Sequence, residues 1–473
     1  MANINQVPGV PFNLAYGGVV PVALTGIGGA DNFVVQVYDR TNSIKLADLR
    51  QSRNENDAAM FDIAKILQSF LFPSKNTIET TVGFTDSTEE VFQYKIRYGT
   101  ETGGVVTIDG TVGLNFVAIN GRKKYYEVLW DQNSYRPFAQ GGTCVVPRSQ
   151  TFGTALTDFP TYTTTSQLLV RRNTPDYLDT NYNADAAGVK IFMHKVRSSD
   201  YYTLSWLNSI RYFGFVNPLA KGVAGIRVTT YDEFAQGIDD FIIPAITANG
   251  GGPDTTQFEG RDIVDPWWVI TAGVGPSQLA GYAPQGFGQV AFYYVSPVTY
   301  SDASCNNYSF NNDLQGYSVP IWNAHRFEID NGICLDTPIQ FSWMNSFGFR
   351  DYYTFSKRNR KSANVRRNVF LKDNWNWNGT SFSADRRDRG YTIMSQEVSE
   401  SYTATTDYLK TQDSQFLENM VISPDVRVNL GDGVWLPVVL ETNTWQEIND
   451  KKDGLVQLTV QFRLSQNIDT QRG

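Results

Sequence analysis

Six cations crowd one stretch of an otherwise acidic chain: Lys357, Arg358, Arg360, Lys361, Arg366 and Arg367, followed at a short distance by Arg386, Arg387 and Arg389. Because the chain carries a net charge of −8, a basic run of this density calls for a role. Three roles suit it: a solvated loop, a salt-bridging interface with an acidic neighbour, or a contact to DNA phosphate. Nearby Asp and Glu offset part of the charge and no nucleic-acid-binding motif accompanies the run, so the phosphate contact ranks last. The acidic balance also excludes a general coat for nucleic acid, which needs a surplus of cations to displace counterions. The expectation is an inter-subunit contact, its base fixed by the aromatic strand "FRDYYTF" and its charged tip reaching outward.

Other reactive side chains are scarce. The two histidines, His194 and His325, are far apart in sequence and each sits in a strand-like run, which restricts both acid–base and zinc chemistry. Cys144, Cys305 and Cys334 are widely spaced, with no CxxC pair, and read as buried thiols of a protein made in a reducing cytoplasm rather than as a disulfide framework or zinc knuckle. No HExxH, GxSxG, phosphate-binding loop, GxGxxG or EF-hand pattern occurs. Carboxylate pairs such as Asp239 with Asp240, or Asp385 with Asp388, have the residue types for glycoside hydrolysis, but a chain with 48 acidic residues throws up such pairs by chance. The expectation is therefore a non-catalytic protein with no cofactor and no metal. The aromatic cluster "NWNWNG" from Asn374 suits a sugar face or a base, yet aromatic residues in β proteins more often anchor a core or a protein interface.

The elements that must position these residues are mainly β. A chain of 473 residues exceeds one core, and its 29 Phe, 25 Tyr and 10 Trp supply large side chains for several. Aromatic and β-branched residues fit a pleated surface, while its 39 Gly suit tight turns. Four segments follow from the punctuation: 1–120, a β-sandwich with one helix; 121–257, mixed but mostly β; 258–337, β-rich; and 338–473, α+β. In the first, "FVVQVYD", "EEVFQYKIRYG" and "GVVTIDG" recur at sandwich spacing. Phe61, Ala64, Leu67 and Leu71 recur at helical spacing after a possible cap at Asn56 or Asp57, and Pro73 stops that helix. In the second, "AGVKIFMHKVR" reads as a strand, as do "KKYYEVLW" and "QLLVRR", while "TYDEFAQGIDDFIIPAI" reads as helical and then extended. "DPWWVITAG" and "GQVAFYYVSPVTYS" are strands of the third. No signal peptide is expected, since no cation precedes Arg40 and Pro and Gly break the opening, and no apolar run is long enough for membrane insertion.

The last segment is the most legible. "IQFSWM" and "FRDYYTF" read as two strands joined by a Gly-containing turn, the second running out into the basic stretch. Phe416, Leu417, Met420 and Val421 fall on one helical face, with Thr411 as N-cap and Pro424 as a stop. A hairpin turns at Gly431 to Gly433. Val456, Leu458, Val460, Phe462 and Leu464 then alternate with polar residues, the period-2 signature of a strand with one buried face.

From Pro338 to Arg472 the succession "FSWMNSFGFRDYYTFSKRNRKS", "TQDSQFLENMVISPDV" and "VWLPVVLETNTWQEINDKKDGLVQLTVQFRLSQN" resembles virion proteins of Bacteroidetes-infecting tailed phages, including crAss-like phages. The opening, in "NFVVQVYD" and "MFDIAKILQSFL", is weakly similar to the fibronectin-like starts of such proteins. The resemblance implies a fibronectin/Ig-like N-terminal sandwich, a tail-tube-like C-terminal domain, and a place in the virion tail after synthesis in the host bacterial cytoplasm. It also implies a ring of six or twelve copies between portal and distal tip, touching other tail or portal-proximal proteins and, at most transiently, passing DNA. The alternative is a receptor- or glycan-binding tail fibre or baseplate protein.

Overall fold

The computed structural model describes residues 2–8, 13–40, 43–72, 84–87, 91–122, 192–209, 225–244, 267–283, 285–299, 319–320, 325–330, 338–344, 348, 350–373, 375–384, 390–410, 417–430, 433–442 and 455–466. All but a few of these lie in β-strands or the turns between them, so the fold is mainly β and multidomain. Two compact units emerge: Met1–Gly332 with Ser342–Tyr353, and Ile333–Phe341 with Thr354–Gly473. The segments "KKYYEVLW", "QLLVRR", "TANGGGPDTTQ" and "CNNYSFNNDLQG", together with all three cysteines, lie outside the described residues.

The first unit opens with two sheets sharing one core. One is five-stranded, in the order Asn13–Tyr16, Val105–Arg122, Val91–Thr102, Asn32–Asp39 and Lys45–Ser52; the other joins Asn3–Gln6, Pro21–Thr25 and Ala58–Asp62. Alternate residues of a strand point to one face, so Phe33, Val35 and Val37 from one sheet meet Val22, Leu24 and Phe61 from the other in a single buried cluster. The helix is shorter than its spacing predicts, Ala64–Gln68 only, because residues 58–62 are taken as a strand pairing with Pro21–Thr25. Neither Asn56 nor Asp57 caps it. Ile63 is the N-cap residue, and Asp62 before it ties the first helical N–H to the neighbouring strand, its Oδ1 accepting from the Ala64 N–H at 2.9 Å and the Val20 N–H at 3.0 Å. Phe61, Ala64, Leu67 and Leu71 are nevertheless all buried in one core, the first on the strand end, the next two on the helix and Leu71 just beyond it.

Farther along this unit, five strands lie in the order Phe192–Val196, His325–Ile329, Phe292–Thr299, Gly225–Tyr231 and Gly237–Pro244, with Val319–Pro320 paired to Phe292–Thr299. Where "TYDEFAQG" suggests helix, the chain makes a tight turn instead. Asp232 Oδ1 accepts from the N–H groups of Phe234 at 2.9 Å and Gln236 at 2.7 Å, and Ala235 takes a φ of 60°. Local side-chain bonds of this kind compete with helix and turn the strand back on itself. Phe327 stacks on Tyr293 at 4.9 Å and meets the edge of Tyr202 at 4.9 Å; complete burial pushes the Tyr293 phenol well above its ordinary pKa, and its hydroxyl donates to the Val274 carbonyl at 2.8 Å.

Gly275 closes this region against the backbone. A Cβ there would stand 2.5 Å from the Tyr202 nitrogen and 2.7 Å from the Asp200 oxygen, both main-chain atoms that cannot rotate away. Gly275→Ala is expected to cost about 1–3 kcal/mol, the usual toll of overpacking. Denaturant unfolding should show the midpoint falling, and an unchanged midpoint would mean that the two segments separate freely.

The second unit holds, in sheet order, Thr354 and Phe355 at the end of one strand, residues 339–341 at the start of another, then Val426–Asn429, Trp435–Leu440, Thr459–Leu464, Tyr391–Thr405 and Arg360–Leu371. Val460 and Phe462 are fully buried, as alternation predicts, but the strand is not continuous. Leu455–Val456 pairs with Leu409–Lys410, and the chain breaks at Gln457 and Leu458 before Thr459–Leu464 begins. The break is held by Thr406, whose Oγ1 accepts from the Leu458 N–H at 2.9 Å. Leu458 and Leu464 are consequently only half-buried. Leu417 and Met420, on a helix over 417–421, are buried, whereas Thr411 and Phe416 lie outside the described residues.

Candidate functional site

The basic stretch is itself a strand. Arg360–Leu371 pairs antiparallel with Tyr391–Thr405 over its whole length, from Arg360 opposite Thr403 to Leu371 opposite Tyr391. Of Tyr391–Thr405 only Tyr402–Thr405 also pairs with the body of the sheet, through Thr459–Phe462. Outward from Ser401, therefore, the two strands have only each other among the described residues. At about 3.3 Å per residue the ribbon from Ser362 to Leu371 extends roughly 33 Å. It ends in a smaller hairpin, Trp375–Trp377 against Phe382–Ala384.

Register sorts the arm into two faces. One carries Arg360, Ser362, Asn364, Arg366 and Asn368 opposite Thr403, Ser401, Ser399, Glu397 and Ser395, and at its outer end Phe370 opposite Thr392. The other carries, from base outward, Lys361/Tyr402, Ala363/Glu400, Val365/Val398, Arg367/Gln396, Val369/Ile393 and Leu371/Tyr391, so its apolar pairs flank one cation, Arg367. A bulge between Asn368 and Val369 makes this separation possible. It leaves Met394 as an extra residue, so that Ile393 and Tyr391, which strict alternation would put on the polar side, join the face of Val398. Leu371 is 65% exposed, Tyr391 74% and Val369 58%. At the tip Trp375, Trp377 and Phe382 share one side of the small hairpin and are likewise exposed.

All six predicted contact residues belong to this arm or its root, and all are exposed. Lys357 pairs with Asp407 at 3.3 Å and Lys361 with Glu400 at 2.7 Å; the Lys361 ammonium also stands 5.4 Å from the centre of the Tyr402 ring. The bond from Lys361 holds the Glu400 carboxyl below its ordinary pKa, and the same bond raises that of Lys361. Arg358, Arg360, Arg366 and Arg367 form no ion pair among the described residues. The expectation that the run forms a charged tip is corrected: the run lies along the stem, and among the described residues the hairpin beyond it presents Trp375, Trp377 and Phe382. The reading of "NWNWNG" as an anchor in this chain's own core is corrected too, since Trp375 and Trp377 are more than half exposed. Arg386, Arg387 and Arg389 lie outside the described residues.

Sequence reasoning missed the apolar face. Arg367 interrupts the row Val365, Val369, Leu371 in sequence, and the bulge hides its continuation in the partner strand.

The other chemical candidates do not converge. Asp239 and Asp240 are neighbours on a strand and so project to opposite sides. Asp240 is engaged by Arg227, whose Nε donates at 2.9 Å, while Asp239 accepts from the Gln285 N–H at 3.0 Å. Asp385 and Asp388 lie outside the described residues. His194 and His325 come onto neighbouring parallel strands, in register with Phe327 and Phe192 respectively. Among the described residues no cluster of three His, Cys, Asp or Glu is placed to hold a metal ion, and no helix is long and apolar enough to cross a membrane.

No protein-family model and no curated protein matches the chain. Among solved structures, the full extracellular region of plexin A4, domains 1 to 10, aligns with 8% identity and a TM-score of 0.16, over 100% of this chain and 32% of that one. A likeness of that size carries no argument about fold or function.

Proposed function

We propose that the chain is a non-catalytic structural subunit of a bacteriophage tail, forming a ring of six or twelve copies between the portal and the distal tail tip. The observation that supports this most directly is the arm, a two-stranded ribbon with a basic stem and exposed apolar pairs, uncovered on both sides among the described residues. A monomer gains nothing by exposing that much apolar side chain, whereas an assembly subunit needs it. On this reading the two-sheet start of the chain is a fibronectin/Ig-like domain, the second unit is tail-tube-like, and DNA touches the protein at most in passing. The neighbours are copies of itself and other tail or portal-proximal proteins. Cryo-electron microscopy of purified virions is the test: a closed ring of six or twelve copies in the tail is expected, and a trimeric fibre or absence from particles would overturn it. A second reading, a receptor- or glycan-binding fibre or baseplate protein, draws on the shared side of Trp375, Trp377 and Phe382, which has the flat apolar character that sugar rings stack on. A glycan array separates the two.

A further inference from the structure

We propose that the apolar face of the arm, Val365/Val398, Val369/Ile393 and Leu371/Tyr391, seats head-to-tail on the acidic body of a second copy of this chain. The inference rests on the reading of the protein as a self-assembling subunit, and it names the partner surface and the symmetry. Three observations carry it.

An antiparallel ribbon with one apolar and one polar face is patterned for cover on one side only. Here the bulge at Asn368/Val369 puts Val369/Ile393 and Leu371/Tyr391 on the side of Val365/Val398, with Arg367 between them, and nothing among the described residues covers these pairs.

Charge then selects the occupant. Between Lys357 and Thr405 ten Lys and Arg stand against five Asp and Glu, a net of +5 in a chain of −8, so the remainder carries −13. Two arms laid together would bring like charges side by side, whereas an arm laid on another copy's body brings opposite charges together. The contact is accordingly between two different surfaces, and contacts of that kind close into rings or extend as filaments instead of forming two-fold dimers.

The distribution of charge also speaks against a lipid surface. From Lys372 to Arg389 the sequence holds four cations and three Asp, while Lys357 to Arg367 holds six cations and no acid. Headgroup attraction favours net positive charge in the outer segment; here the net charge is concentrated on the stem, along which a protein surface would lie.

The purified full-length chain tests this by native mass spectrometry and zero-length carbodiimide cross-linking of mixed ¹⁵N-labelled and unlabelled copies. The wild type is expected to oligomerise, with Lys361 or Lys372 of one copy linked to Asp or Glu of Met1–Gly332 in another. Leu371→Asn with Ile393→Asn should raise the dissociation constant at least tenfold. Asn364→Gln with Ser399→Gln, on the polar face, should change it less than twofold. All these positions are exposed or half-buried on the arm, so circular dichroism and melting should match the wild type and folding is not in question. A monomeric wild type, equal assembly by both double variants, or links confined to arm against arm would overturn the proposal. Arm-to-body assembly in the purified protein together with absence of the chain from virions would leave it standing and overturn the tail reading alone.

Discussion

Phe462→Ala should destabilise the second unit by about 3–5 kcal/mol, the range for truncating a buried aromatic. Phe462 is completely buried and lies at the centre of an aromatic group. It stacks on Tyr402 at 5.3 Å, meets Phe341 edge-on at 5.1 Å, and Phe341 in turn lies 4.7 Å from Phe355. Those rings come from four strands, so the cavity would be lined by side chains already fixed by backbone pairing and unable to collapse inward. Gln461→Ala, one residue away on the exposed face, should cost within about 0.5 kcal/mol. Chemical denaturation monitored by fluorescence compares the two. Equal midpoints would mean that the strand faces the other way. Leu458, which strict alternation puts on the same buried row, should tolerate Asp better than Val460 does, because it lies half-buried in the break before the strand.

That contrast shows what the sequence revealed and what it hid. Period-2 alternation correctly identified Val460 and Phe462, because pairing to strands on both sides enforces it. It failed at Leu458, where a hydroxyl from Thr406, 52 residues away in sequence, replaces the ladder. Helical spacing at Phe61 to Leu71 named four buried residues but the wrong element over half of them, since a strand end followed by one helical turn can serve the same core. The turn at Asp232 was hidden for a different reason: one carboxylate accepting two backbone N–H groups outweighs the weak helical periodicity of "TYDEFAQG". At the candidate site, charge density picked out all six basic residues, which is a property of composition. The ribbon that carries them depends on register and on one bulge, and neither can be read from a single strand.

Changing Arg358, Arg360 and Arg366 together to Glu should leave the protein folded and abolish assembly at low salt. None of the three forms an ion pair among the described residues and all are exposed, so no native contact is lost on folding. The reversal changes the arm between Lys357 and Thr405 from +5 to −1, and attraction to an acidic body becomes repulsion. Arg360 and Arg366 lie on the polar face, across the ribbon from the apolar pairs, and therefore act through space instead of through contact. A ribbon is about 10 Å thick, close to the Debye length at 0.1 M salt, so their field reaches a surface on the far side at low ionic strength and fades as salt rises. The two classes of variant should then separate by salt. The charge reversal slows encounter and should recover assembly partly at about 0.5 M salt, where the Debye length falls to roughly 4 Å. Leu371→Asn with Ile393→Asn removes apolar contact and should show a faster dissociation that salt does not repair. Light scattering of assembly kinetics across a salt series measures both. A charge-reversed protein that assembles at the wild-type rate in low salt would remove the arm's cations from the interface, and tight, salt-sensitive DNA binding by the wild type would reassign them to phosphate.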